Sequence, residues 1–290
     1  LYSPAAQAML ADLVGPGQRP RAYGLWRMAS NLGFAIGPAL GGFIAEQSYL
    51  TLFLLNAATG LTFAAVVLFG TDETKPDIAP QGQPRPGLLG GGFGRVVANR
   101  PFVAFCVVSV AIGVVYSQMS TALPVYMKEG LGLAESHYGW VMTTNAGMVA
   151  LLQYGVTRRA ERRPRLRMMA LGLSLYAVGV GSVSLAQGFA WFVASMAILT
   201  LGEMIAMPIA NAVAADLAPP DLRGRYMSLL GITWSAGMGL GPWMGGALAD
   251  NLGLSLLWPT MAGVGFAAAG AYLLLERAVG PRLAGAEPTG

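Results

Sequence analysis

Charge is the first thing this sequence is short of. Only 11% of its 290 residues are Asp, Glu, Lys or Arg, against about 25% in soluble domains. A water-soluble chain this apolar lacks the polar surface to cover itself, so lipid is the better solvent to assume. Cysteine and histidine are scarcer, at one each. Cys106 lies in the apolar run 102–115 and reads as a buried small hydrophobe, so disulfides and thiolate metal sites are excluded. His137 stands alone in a loop beside Glu135, and no metal set or cofactor is expected. The chain carries no His/Asp metal cluster, nucleophile–base set or phosphate loop, which argues against a membrane-embedded enzyme. The net charge of +4 sits in short loops without aromatic interleaving, which argues against nucleic acid as a partner. No signal peptide precedes Leu1, which stands in mid-pattern, so the chain is expected to be a fragment.

Apolar helix is what remains. A spanning helix needs about 20 mostly apolar residues. After a partial helix ending near Asp12, eight such runs are predicted, at 24–45, 50–70, 101–127, 138–157, 166–187, 189–214, 226–249 and 254–275. The loops between them alternate in charge. Arg19, Arg21 and Arg27 lie in or just past the first, and Lys75, Arg85, Arg95 and Arg100 fill 71–100. Six arginines crowd 158–167, Arg223 and Arg225 precede the run at 226–249, and Arg277 and Arg282 end the chain. Every basic residue except Lys128 falls on one side, which the positive-inside rule makes the cytoplasm. The Arg158–Arg167 run is also a candidate anchor for lipid headgroups. Residues 71–98, rich in Pro and Gly, read as a cytoplasmic linker whose last part, 93–98, is a candidate interfacial helix. The divisions expected are 1–70, the rest of a first helical bundle; 71–98, the linker; 99–277, a complete six-helix bundle; and 278–290, a cytoplasmic tail.

The chain also repeats itself. Shifted by 204 positions, Pro4–Asp12 falls on Pro208–Asp216, Arg19 and Arg21 on Arg223 and Arg225, and Gly33, Gly37, Pro38, Gly41 and Gly42 on Gly237, Gly241, Pro242, Gly245 and Gly246. About sixteen of roughly forty-three positions are identical without a gap. Both copies cross the membrane in the same sense, so the repeat is parallel and its period holds six helices. About 105 residues are then expected ahead of Leu1. The chain would hold the end of a fourth helix and the fifth to twelfth.

One carboxylate breaks the pattern. The other acidic residues lie in loops, at helix ends or in the tail, whereas Glu203 stands deep within the run 189–214. A charge at the bilayer centre is costly, about 2.5–3.5 kcal/mol on insertion scales, so it faces the protein interior or a water-filled cavity. It is either a group that takes up and releases a proton or a structural acid bonded to a neighbouring helix. Met196, Thr200, Glu203, Met207 and Asn211 follow helical spacing and share a face.

Parallel six-helix repeats are the plan of the major facilitator superfamily, and the glycines point to one branch of it. Gly24, Gly33, Gly37-Pro38 and Gly41-Gly42 resemble the antiporter motif of its drug/proton antiporters. Gly33, Gly37 and Gly41 at intervals of four form a smooth stripe for close helix packing. The second copy has Ser228 in place of Gly24. The phrase Leu201-Gly202-Glu203-Met204-Ile205, with Pro208, Asp216-Leu217 and Arg223-Gly224-Arg225-Tyr226-Met227, looks like that of bacterial multidrug-exporter-like members. The resemblance spans 4–276.

It implies an all-α membrane protein of the major facilitator fold in the plasma or inner membrane, monomeric, without cofactor, whose partners are lipid, protons and a small-molecule substrate. It makes the runs at 101–127 and 189–214 the seventh and tenth helices, which line a central cavity with the first and fourth. The candidate cavity residues are then Tyr116, Gln118, Ser120, Asn145, Thr200, Met207, Asn211, Trp234 and Met238. Thr121, Gln153 and Asn31 are further polar residues within the spans. Glu203 becomes the candidate for proton coupling. Asp12 with Arg19 and Arg21, and Asp216 with Arg223 and Arg225, stand at equivalent helix ends. They are either capping and positive-inside charge or a latch closing the cytoplasmic side in one transport state. The function implied is proton-coupled export of small amphipathic or cationic molecules by alternating access. Uptake of a sugar, organic acid or nutrient by the same fold is the alternative, and a scaffold would leave Glu203 unexplained. The topology has a direct check. A cysteine at Ala160 should be labelled only from the cytoplasm and one at Ser48 only from outside; external labelling at Ala160 would overturn the helix count.

Overall fold

The structure, a computed structural model, describes residues 2–70 and 92–284. Its helices are α1 (Tyr2–Leu13), α2 (Arg19–Gln47), α3 (Tyr49–Gly70), α4 (Gly92–Ala98), α5 (Arg100–Ser120), α6 (Ala122–Val125), α7 (Glu135–Ala160), α8 (Arg165–Ser182), α9 (Phe189–Leu217), α10 (Arg223–Leu252) and α11 (Leu254–Ala284). A π turn at Tyr126–Gly130 carries α6 on towards α7. The long helices fall on the eight predicted runs. Their ends reach past the apolar residues because a helix continues into the polar layer until a cap or turn stops it. Asn99 caps α5 by accepting from the Phe102 amide at 3.3 Å, with Pro101 in the first turn. Gly253, at φ 84°, lets α10 turn directly into α11.

Among the described residues, five helices are apolar and long enough by composition alone to cross a membrane: α3, the α5–α6 unit, α8, α9 and α11. Those not among them, α2, α7 and α10, are as long but richer in glycine and polar residues. The segment 71–91 of the predicted linker and the tail from 285 lie outside the described residues. Residues 92–98 of that linker form α4, which docks on the second bundle. Val96 is fully buried, Arg95 pairs with Asp221, and Asn99 just beyond donates to the Tyr226 hydroxyl at 2.8 Å.

Backbone approach sets the bundle. A methyl group on Gly237 of α10 would lie 2.7 Å from Gly113 Cα and 2.6 Å from the Val110 carbonyl oxygen of α5. The same side of α10 brings Gly241 onto Ser117 and Gly245 onto Gln118. This is the second copy of the glycine stripe, and it shows what the spacing is for. In the first copy Gly33 has nothing within 4 Å, and the surroundings of Gly37, Pro38, Gly41 and Gly42 lie outside the described residues. A second close seam joins α8 to α9, where a methyl group on Gly202 would lie 2.7 Å from the Tyr176 amide nitrogen.

Two apolar cores result. One, nearer the arginine-rich end, gathers Phe102, Phe105, Leu166, Met169, Ile209, Val213 and Tyr226. The other, at the far end, gathers Met119, Tyr176, Phe192, Met196, Leu199 and Trp258. Along α9 the first core begins at Ala206 and the second ends at Leu199, so Thr200 to Glu203 lie where the two meet. Ala160, the proposed labelling position, is buried under the first core at 6% exposure; the exposed Arg162 two residues on serves the same purpose.

The α5–α10 seam gives a paired test. In an exposed helix Gly→Ala gains up to about 1 kcal/mol. Gly239→Ala, where nothing lies within 4 Å, should therefore raise or preserve the thermal unfolding midpoint in detergent. Gly237→Ala must push two backbones apart and should lower it, by an overpacking cost of about 1–3 kcal/mol. Equal midpoints for the two variants would refute the packing account.

Candidate functional site

Glu203, midway along α9, is only 2% exposed. Its carboxylate is held from two other helices. Arg27 of α2 pairs with Oε1 through Nη2. Asn145 of α7 donates from Nδ2 to Oε2 at 2.6 Å, and the same amide nitrogen lies 2.9 Å from Thr200 Oγ1. Thr200 in turn donates to the Met196 carbonyl at 2.7 Å. In a low-dielectric interior this attraction is strong, and removing either partner strands the other charge. Yet the contact is one-pronged. Arg27 Nε is buried without a hydrogen-bond partner, so the guanidinium forgoes the two-pronged geometry that holds carboxylates most firmly.

Small residues make this meeting possible. A methyl group on Gly24 of α2 would lie 2.9 Å from Thr157 Oγ1 of α7, so only glycine allows that approach. Arg27 follows Gly24 by three residues, about one helical turn. Gln153 of α7 donates to Thr157 Oγ1 at 2.7 Å and to the Met204 carbonyl of α9 at 2.9 Å, locking α7 to α9 beside the acid. Gly24, the first glycine of the motif, thus brings the cation of α2 within reach of the carboxylate of α9.

A second set of charges joins the bundles at their arginine-rich ends, and its pairing is crossed. Arg223 pairs with Asp12, and Arg19 with Asp216. These are the same contact made twice, since Asp12 corresponds to Asp216 and Arg19 to Arg223. Asp216, its side chain 1% exposed, also receives Arg165, while Arg21 pairs with Glu161. Arg165 therefore leaves the predicted lipid-facing run for the interior, whereas Arg158, Arg159, Arg162 and Arg163 remain exposed. Arg225 takes no part in these pairs. Arg19 further donates to the Ala11 carbonyl at 3.2 Å. Outside the apolar spans, burial lowers the pKa values of Arg19 and Arg223 from the usual guanidinium range, and the hydrogen bond to Glu161 raises that of Arg21.

Of the candidate cavity residues, Tyr116, Ser120 and Asn145 line a small cleft of about 20 Å³ together with Met119, Met142, Met196 and Leu199. Asn145 belongs to both cleft and acid cluster, so the two adjoin. Trp234 stands beside the cleft, its ring 5.2 Å from that of Tyr116. Met207 packs on the inner core. Asn211 and Met238 are half-buried and do not line the cleft. Gln118 is not a cavity residue: it is buried in the α5–α10 seam, donating to the Gly241 carbonyl at 2.7 Å. Sequence reasoning missed Arg27, Glu161 and Arg165 as partners. Arg27 passes for a loop charge beside Arg19 and Arg21, although it falls inside the apolar run 24–45.

An all-helical, multi-pass membrane protein with a parallel repeat and a buried acid in mid-span, held by a cation from another helix, is the class defined here. The family model described as Major Facilitator Superfamily matches residues 1–134 and again 116–289. The chain belongs to the major facilitator superfamily. It is 31% identical over 261 residues to the uncharacterized MFS-type transporter YttB of Bacillus subtilis, covering 88% of this chain and 63% of that protein. It is 27% identical over 252 residues to the multidrug resistance protein MdtH of Aeromonas hydrophila, covering 86% of this chain and 62% of that one. The chain thus spans somewhat less than two thirds of these relatives. The solved structure of the human organic anion transporter MFSD10 shares the fold, with a TM-score of 0.70 at 16% identity over 93% of this chain and 67% of that one.

Proposed function

We propose that the protein is a proton-coupled secondary exporter of small amphipathic or cationic molecules, working by alternating access, with Glu203 as the coupling acid. The observation that carries this reading is the pair between half-buried Arg27 and buried Glu203 that joins α2 to α9, with Asn145 on the second carboxylate oxygen. A proton on Glu203 removes the negative charge that attracts Arg27 across that boundary. Deprotonation restores it. The acid thereby ties the protonation state of one buried site to the relative position of two bundles. The cleft lined by Met119, Met142 and Met196 adjoins the acid, and flexible thioethers suit apolar ligands of varied shape. Similarity to a relative named for multidrug resistance supports the same reading.

The crossed pairs Asp12–Arg223 and Asp216–Arg19, with Arg21–Glu161, form the latch of this scheme. By the positive-inside rule they face the cytoplasm. While they hold, that end is closed, and the linker 71–98 and the tail 278–290 lie on the same side. Exposed pairs contribute only about 0–1 kcal/mol, but Arg19 and Asp216 are withdrawn from water at 6% and 1% side-chain exposure. Breaking a buried pair by deleting one partner costs about 3–5 kcal/mol, enough to bias a two-state equilibrium heavily.

Glu203→Gln in the full-length transporter tests the coupling. Glutamine keeps shape and hydrogen bonding but cannot release a proton. Efflux driven by a pH gradient should fall to background, while exchange of one substrate molecule for another continues. Glu203→Asp should retain part of the activity with a shifted pH dependence. Wild-type efflux by Glu203→Gln under the same gradient would make Glu203 a structural residue.

A further inference from the structure

The acid cluster has an aromatic wall that proton coupling alone does not use. The Tyr116 ring centroid lies 5.2 Å from that of Trp234 and 6.4 Å from that of Tyr176. Tyr176 is 2% exposed, and its hydroxyl has no hydrogen-bond partner. The close α8–α9 seam puts the Tyr176 backbone against Gly202, the residue before the acid. Tyr116 lines the cleft that reaches the carboxylate through Asn145, and with Trp234 and Tyr176 packed against it this corner offers a seat for a cation with an apolar skin. The ring faces attract positive charge through their quadrupoles, and the carboxylate supplies the counter-charge. The methionine-lined cleft adjoins the seat at Asn145.

In this structure the positive charge at the seat is the protein's own. Arg27 reaches it from the other bundle, and it holds on by a single prong with Nε unpartnered. A guanidinium built in only to neutralise a structural acid would gain by binding two-pronged. One held by a single nitrogen is easier to displace. We infer that Arg27 is a tethered competitor for the transported cation: its guanidinium occupies the position at Glu203 that an organic cation takes, so seating the ligand releases the cross-bundle pair. This inference rests on the reading of Glu203 as the coupling acid and adds to it a role for the arginine. Proton and organic cation then act on one bond from opposite sides, the proton by discharging Glu203 and the cation by replacing Arg27. Arg27 also sets a threshold, since a ligand must outbid it, and neutral molecules cannot.

Binding of tetraphenylphosphonium to the purified full-length transporter at pH 8, followed by equilibrium dialysis, tests the competition. Where a site is open only a fraction of the time, apparent affinity falls by that fraction; an arginine in place about 90% of the time weakens binding about tenfold. Arg27→Gln should therefore bind the probe about tenfold more tightly than wild type. Arg27→Lys, which keeps a tethered cation, should stay near wild type and show that the gain does not come from loosening the fold. Glu203→Gln should lose binding in every background. Unchanged or weaker binding by Arg27→Gln, with its helical circular dichroism intact, would overturn the competitor role. That result would leave the coupling reading standing as long as Glu203→Gln still abolished pH-driven efflux. Tight binding by Glu203→Gln would overturn the cation seat itself.

Discussion

A carboxylate cannot stand charged in an apolar interior without a partner, and in this protein its cationic partner comes from another bundle. That constraint gives Glu203 its consequences. The acid is on α9 and the guanidinium on α2, and the amide of Asn145 from α7 takes up the remaining carboxylate oxygen. Each of these helices must come close enough for short polar contacts through a layer otherwise filled by hydrocarbon. Glycine supplies the approach at Gly24 against Thr157 and at Gly202 against Tyr176. The two apolar cores stop on either side of Thr200 to Glu203, so the charged layer lies between two blocks of packed side chains.

The repeat explains why the outer charges pair as they do. Two copies of one motif, related by an axis along the membrane normal, face each other across the bundle boundary. An aspartate of each then meets an arginine of the other, and Asp12–Arg223 and Asp216–Arg19 are that one contact made twice. Symmetry ends at the central pair. Gly231 stands at the position corresponding to Arg27, so only the first copy sends a cation to the acid. The ends of the bundles are thus joined symmetrically, and the centre by a cation from the first copy alone.

Much of this was legible in the sequence. Eight apolar runs became eight long helices, because the membrane imposes a length and a hydropathy that few other contexts require. Glu203 stood out because a carboxylate in mid-span is rare and needs a reason. Arg27 did not, because an arginine one turn into a helix after a basic loop is already accounted for by the positive-inside rule. The crossed pairing was also hidden. A repeat shows which residues are equivalent, whereas contact depends on how the copies face. Gln118 and Asn145 look alike in sequence, both polar residues within spans. One closes a backbone seam with Gly241 and the other serves the acid, and only the rotation of each helix separates them.

The central claim is that the Arg27–Glu203 bond helps hold the two bundles together at the arginine-rich end. Pulsed electron-spin distance measurements between nitroxides at the exposed positions Gln18 and Arg163, one in each bundle, test it most directly. In the full chain at neutral pH the wild type should show a short distance that gives way to a longer one on acidification. Glu203→Gln, which imitates the protonated acid, should populate the longer distance already at neutral pH and lose most of the pH response. A Glu203→Gln distribution that matches the wild type at neutral pH and shifts with acid in the same way would contradict the account.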